Sequence, residues 1–206
     1  MPVPAALSRI ATALLAVALA LLAIKGGIDT IRFDIARKAA VESGRGDALK
    51  PWASSTGFAS PSLEAMLRLP GDGVTMGALG LRRELLTQWL AARPLASQGW
   101  IMLAAVRHAL ATPPALVDEA FMMSALTGPA EADAMAQRAL LGLLAWETSP
   151  AEIQQRTASD LCGLVVDDPS RLRLVLTTKP DAVRAAIRRA LVDRACAPRM
   201  IAAVGL

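Results

Sequence analysis

The chain has 206 residues, enough for one domain and an anchor, with 54% hydrophobic residues and a mean hydropathy of +0.42. Aromatics make up only 3% and tyrosine is absent, so the β-branched and aromatic runs that build strands are too scarce for a β-rich fold, and the composition points to an all-α one. The net charge of +4 is unevenly spread: from Pro169 to Leu206 eight basic residues face two acidic ones, a balance that attracts anionic partners and excludes an acidic C-terminal surface.

Met1 to Ala6 is a short tail with two prolines. Leu7 to Ile28 comes next, and its centre, Ile10 to Ile24, carries no charge. With its flanks this run reaches roughly the 20 residues that a bilayer span needs. Arg9 and Lys25 bracket it and can snorkel to the two interfaces. Residues 1–28 therefore predict a tail and a transmembrane signal anchor. Ala18-Leu19-Ala20 has the small-x-small form of a cleavage site, but cutting there leaves the apolar Leu21 to Ile24 as a new N-terminus, which favours an uncleaved anchor. The Lys and Arg count is higher after the span (Lys25, Arg32, Arg37, Lys38) and argues for a cytoplasmic domain. The short N-terminal tail ahead of an apolar run has the shape of an anchor that exports the domain behind it, and export is the favoured reading.

Residues 29–61 predict a juxtamembrane helix, Asp29 to Val41, and a linker, Glu42 to Pro61, in which Trp52 and Phe58 are expected to pack back on the domain. Residues 62–195 predict an α-helical domain. Ser62 to Leu69 is a short helix stopped by Pro70-Gly71-Asp72-Gly73. The array proper starts near Met76, with Leu79, Leu81, Leu85, Leu86, Trp89 and Leu90 on one stripe. Pro94 ends that helix. The next runs from Ala96 to Ala111 with Trp100, Leu103, Ala104 and Val106 inward, and Thr112-Pro113-Pro114 breaks it. A third spans Ala115 to Leu126 and ends at Gly128-Pro129. A fourth spans Ala130 to Glu147 with Met135, Ala136, Ala139, Leu140, Leu143 and Trp146 inward. Ser149 is placed to cap a fifth that begins at Pro150 and reaches Val166. A sixth starts at Asp168-Pro169 and runs through Leu176; a seventh starts at Lys179-Pro180-Asp181 and runs through Ala195. Residues 196–206 are left as a C-terminal tail.

The stretch Leu90, Pro94, Trp100, Leu103, Ala104 resembles the junction between two tetratricopeptide repeats, where a helix ends at a proline and the next begins with Trp-x-x-Leu-small. Trp89 and Arg107 stand where that family prefers a small residue and an aromatic. Behind the N-terminal transmembrane helix read from the apolar run, the resemblance implies a small array of antiparallel helical hairpins, a tetratricopeptide-like α-solenoid, acting as a protein-binding adaptor rather than an enzyme. The layout also resembles that of accessory proteins of bacterial exopolysaccharide synthesis and export. The expectation is a non-catalytic, single-pass scaffold of the bacterial inner membrane with a periplasmic domain. Its partners would be other envelope or membrane proteins, anionic glycan or lipid headgroups, and not nucleic acid. Two rival expectations are an assembly factor of the cytochrome-maturation type holding a client peptide, and a helical glycan-acting enzyme.

No residue set nominates a reaction, so no catalytic residue, metal ligand or cofactor is expected. The single histidine, His108, stands beside Arg107 at a helix end. Asp118 and Glu119 are adjacent and point to different sides of a helix. Glu131, Asp133, Glu147, Glu152 and Asp160 are scattered, and Gly-x-Ser-x-Gly and phosphate-loop motifs are absent. Phe121, Met122 and Met123 suit core packing better than an adaptable surface. Arg184, Arg188 and Arg189, with Arg107, make the candidate interaction surface. Cys162 and Cys196 lack the close spacing of zinc or redox motifs; they either form one disulfide in an oxidising compartment or remain two small buried apolar residues.

Overall fold

An apolar, proline-free run rich in Ala and Leu has one low-energy conformation, and Ala5–Ser43 is a single helix, α1. At 1.5 Å per residue its 39 residues extend about 58 Å. The computed structural model describes residues 5–43, 46–53, 55, 57, 59–68, 75–164 and 169–206. Among these every regular element is helical. Expectations about the first four residues, Phe58, the Pro70–Gly73 turn and the junction at Val166–Asp168 fall outside the described residues. The chain divides into two compact units, residues 1–71 and 72–206.

In the first unit α1 is long and apolar enough to cross a membrane, and its apolar residues from Leu14 to Ile24 are exposed. Gly26 and Gly27 do not interrupt the helix, and Thr30 Oγ1 donates to the Gly26 carbonyl at 2.8 Å. The expected linker is more ordered than its composition suggests. Gly46–Trp52 forms a 3-10 helix, and Trp52 packs edge-on against Phe33 of α1 with ring centroids 5.7 Å apart. Phe33, Ala40 and Leu49 are buried together. Helix α2, Ala59–Arg68, covers them with Ala65 and Met66, so it belongs with α1.

The second unit holds eight helices among its described residues: α3 (Met76–Ala92), α4 (Ser97–Ala109), α5 (Pro114–Thr127), α6 (Ala132–Leu144), α7 (Ala151–Gly163), α8 (Ser170–Thr177), α9 (Asp181–Asp193) and α10 (Pro198–Ala203). Thr75 caps α3, its Oγ1 accepting the Ala78 N–H at 3.2 Å. Pro114 opens α5 and Pro198 opens α10, where a missing N–H costs nothing. Between α4 and α5 the chain turns through Ala111 in the left-handed region, and the Thr112 N–H and hydroxyl both donate to the Arg107 carbonyl. Helix α4 packs on α3, α5 and α6; α7 packs on α5, α6 and α9; α8 packs on α6.

Two glycines set the closest approaches. A Cβ on Gly99 would run into the Trp89 ring, 2.8 Å from Cε3, and the Leu90 side chain, so the large Trp89 is accommodated by having nothing opposite it on α4. A Cβ on Gly142 would overlap Thr157 Oγ1 and stand 2.8 Å from its Cβ, which fixes how near α6 and α7 come. Trp89 is buried, whereas Trp100 is half-buried and its indole N–H donates to the Pro94 carbonyl at 2.7 Å. Trp100 therefore ties the corner as much as it fills the core.

Five expectations need correction. Leu81 is exposed. Helix α6 stops at Leu144 because residues 145–149 turn back through bonds to the Ala145 carbonyl. Its inward set includes Ala134, Arg138, Ala139, Leu141, Gly142 and Leu143, while Ala136 is exposed. Ser149 does not cap α7; its hydroxyl donates to the Ala145 carbonyl at 2.9 Å, and Pro150 holds the cap position. The C-terminal tail is no tail: α10 buries Met200 and Ile201, and Val204 goes with them into a core with Leu143, Trp146, Leu161, Leu172, Leu176, Ile187 and Leu191.

Adding a methyl group where Thr157 already stands forces α6 from α7. Gly142→Ala is expected to lower unfolding free energy by about 1–3 kcal/mol in denaturant titration. Thr157→Ala in the same chain should return part of that loss, a non-additivity that unrelated sites do not show.

A buried arginine network and the candidate interaction surface

Helix α5 ends without a basic residue in its last turn, and its final carbonyls turn into the protein. Arg138, from the middle of α6, reaches this end and adds side-chain donors to the Ser124 and Gly128 carbonyls, which also accept the Gly128 and Glu131 N–H groups. Its Nη1 donates to the Ser124 carbonyl (3.1 Å), the Ser124 hydroxyl (3.0 Å) and the Gly128 carbonyl (3.2 Å). Its Nε and Nη2 grip Asp160 of α7 at 2.7 and 3.1 Å, a bidentate fork, and Nη2 also reaches the Pro129 carbonyl at 3.5 Å. The Arg138 side chain is 0% exposed and that of Asp160 is 1%. Arg156, one turn before Asp160, adds a second guanidinium at 2.9 Å and donates to the Pro129 carbonyl at 2.6 Å. One carboxylate thus meets two guanidiniums, and the cluster joins α5, α6 and α7 at a single point. Nearby, the Ser97 hydroxyl donates to Glu131 Oε2, linking the first turn of α4 to the residue that precedes α6.

This network is structural in kind: its donors and acceptors are turned on one another. Among the described residues no group of three or more His, Cys, Asp or Glu side chains could hold a metal ion. His108 is exposed at the end of α4.

The four arginines of the candidate surface do not act alike. Arg107 is spent inside the fold: Nη1 donates to the Leu116 carbonyl at 2.6 Å and lies 3.8 Å from Glu119, bracing α4 against α5. Arg184, on α9, pairs with Asp181 one turn earlier. Arg188 and Arg189 are exposed on α9. Cys162 at the end of α7 and Cys196 just after α9 have Cα atoms 5.1 Å apart, within disulfide range, and the structure joins their sulfurs. Arg194 beside that bond donates to Ser159 of α7. No protein-family model matches the chain, and no curated protein or solved structure matches it either.

Of the acid pair on α5, Glu119 is exposed and Asp118 is half-buried. Loss of water around Asp118 pushes its carboxyl above the ordinary value of 3.8. Phe121 is buried, and Met122 and Met123 are half-buried. In the sequence Arg138 belongs to no motif and Asp160 is one acid among several scattered ones. The one signal that could have found Arg138 was a charged residue in the stretch Ala134–Leu144, which is apolar but for Gln137.

Removing Asp160 strands a buried guanidinium. Asp160→Ala is expected to cost about 3–5 kcal/mol of stability, because an uncompensated buried charge remains. Arg156→Ala leaves the inner pair whole and should cost about 1 kcal/mol or less by the same denaturant measurement. For Asp118 the folded pKa lies above the unfolded one. The folded state therefore holds this proton longer, and stability falls as pH rises from the unfolded value through the folded one. Asp118→Asn should melt higher than wild type at neutral pH, and the advantage should vanish below the unfolded value of 3.8.

Proposed function

We propose that this chain is a non-catalytic adaptor of the bacterial cell envelope, anchored by α1, with α3–α10 forming a tetratricopeptide-like scaffold outside the cytoplasm. The observation that carries the reading is the join of Cys162 to Cys196, which closes a 34-residue separation around α8 and α9. Disulfides persist in oxidising compartments and are rare in the cytosol. On the chain-entropy account a loop of that length adds about 3–4 kcal/mol of stability. On this ground export of the domain outweighs the Lys and Arg count after the span.

Two further features support the adaptor reading. From α3 to α7 each helix packs on the next, and from α4 to α9 on the next helix but one (α4 on α6, α5 on α7, α6 on α8, α7 on α9), as a stack of hairpins does. The basic end leaves Arg188 and Arg189 open to solvent, suited to acidic protein surfaces, anionic glycan or lipid headgroups. Among envelope processes, exopolysaccharide synthesis and export is the one this layout resembles.

Alkaline phosphatase fused after Leu206 is expected to be active in a bacterial host. Alkylation without reductant should leave Cys162 and Cys196 unmodified, and with reductant should add two labels. An inactive fusion, or two labels without reductant, sinks the export reading.

A further inference from the structure

The Cys162–Cys196 bond joins two parts of the second unit that are held by different means. The buried network of Arg138, Asp160 and Arg156 draws its members from α5, α6, α7 and the corner between α5 and α6, and Asp160 stands two residues before Cys162. α8, α9 and α10 are held by apolar contact instead: Leu176, Ile187 and Met200 share a core with Leu143, Trp146 and Leu161. Polar ties cross as well. Lys179 donates to the Leu144 carbonyl at 2.9 Å and pairs with Glu147 at 2.8 Å, and Arg194 donates to Ser159. Both lie where solvent competes for them. Within the segment Arg173 of α8 donates to the Ala203 carbonyl of α10, so its first and last helices are tied to each other.

The covalent bond enters this segment at a strained corner. At the end of α9 the Ala195 N–H donates to the Val192 carbonyl at 2.8 Å and the Cys196 N–H to the Leu191 carbonyl at 3.0 Å, the paired bonds of a Schellman end. That end puts Ala195 at φ 54°, in the left-handed region where glycine is the usual residue and a β-carbon is unfavourable. Cys196 follows directly, so its bond to α7 helps to hold the corner. The two sulfurs also differ in access. Cys162 is half-buried and precedes the exposed Gly163, whereas Cys196 is buried. Disulfides that are accessible or adjoin strain are the labile ones, and strain of this kind collects at switch regions.

We infer that the Cys162–Cys196 bond is a redox latch: closed, it keeps α8–α10 seated on α6 and α7; reduced, it releases them as one segment and uncovers Leu143, Trp146 and Leu161 while α4–α6 stay folded. The latch rests on the same oxidised join as the export reading. A dithiol supplies the electrons. Its thiolate attacks Sγ of Cys162, the bond between the two sulfurs breaks, and Cys196 leaves as a thiolate and takes up a proton. The second thiol of the reductant then attacks the mixed disulfide and frees Cys162. Two electrons and two protons pass to the cysteine pair, and the dithiol becomes a disulfide.

The test uses the full chain in mild detergent in three forms: oxidised, reduced by dithiothreitol after folding, and Cys162→Ser/Cys196→Ser. Hydrogen exchange read by peptide should speed up about tenfold or more across residues 170–206 in the reduced and doubly substituted forms, and stay as in the oxidised chain from Ser97 to Leu144. Reoxidation of the reduced wild type should restore the protection. The reduced wild type has already folded, so the test stands even where the double variant does not fold. Unchanged protection of 170–206 after reduction, a bond that dithiothreitol opens only in denaturant, or an equal rise from 97 to 206 overturns the latch. The last result would make the bond a general stabiliser. Alkylation before any reductant separates the latch from the export reading. Two labels at that stage remove both. No label, with a segment that stays protected after reduction, removes the latch alone.

Discussion

Three helices of the second unit meet at one carboxylate. Asp160 takes a bidentate fork from Arg138 and a further bond from Arg156, and Arg138 in turn closes the end of α5. A buried ion pair of this kind is weak evidence for stability, because desolvating both ions offsets most of their attraction. Its effect is on specificity. Wrong placement of α5, α6 or α7 leaves a guanidinium or a carboxylate without partners, each costing about 1–3 kcal/mol or more. A leucine at position 138 would fill the space but leave the carbonyls of Ser124 and Gly128 without this donor. The residue has to be polar, long and forked, which restricts it to arginine.

Much of the helical layout could be read from the chain because prolines and glycines mark most of the corners. Pro94, Pro113-Pro114, Gly128-Pro129, Ser149-Pro150 and Lys179-Pro180 each fall at a boundary between helices in the structure. The features that escaped depend on residues far apart in sequence. Arg138 and Asp160 are 22 positions apart, and neither belongs to a local motif. The role of Gly99 and Gly142 shows only once the facing side chains, Trp89 and Thr157, are known. Met200, Ile201 and Val204 lie in the stretch read as a tail, yet α10 is apolar enough to dock.

The corners at the two ends of α4 are built differently. At the first, the large Trp89 ring lies against Gly99, where a Cβ would collide with it, so one member of the pair is small because the other is large. At the second, Arg107 reaches the Leu116 carbonyl and ties α4 to α5 by a hydrogen bond instead of by apolar packing.

Function by docking requires a surface that holds a partner, and a few exposed arginines hold one weakly. An ion pair at an exposed site is worth about 0–1 kcal/mol and is screened at ordinary salt. Arg188 and Arg189 on a lone chain would therefore give little affinity for an anionic partner. A docking partner therefore has to add contacts beyond these two side chains to be held.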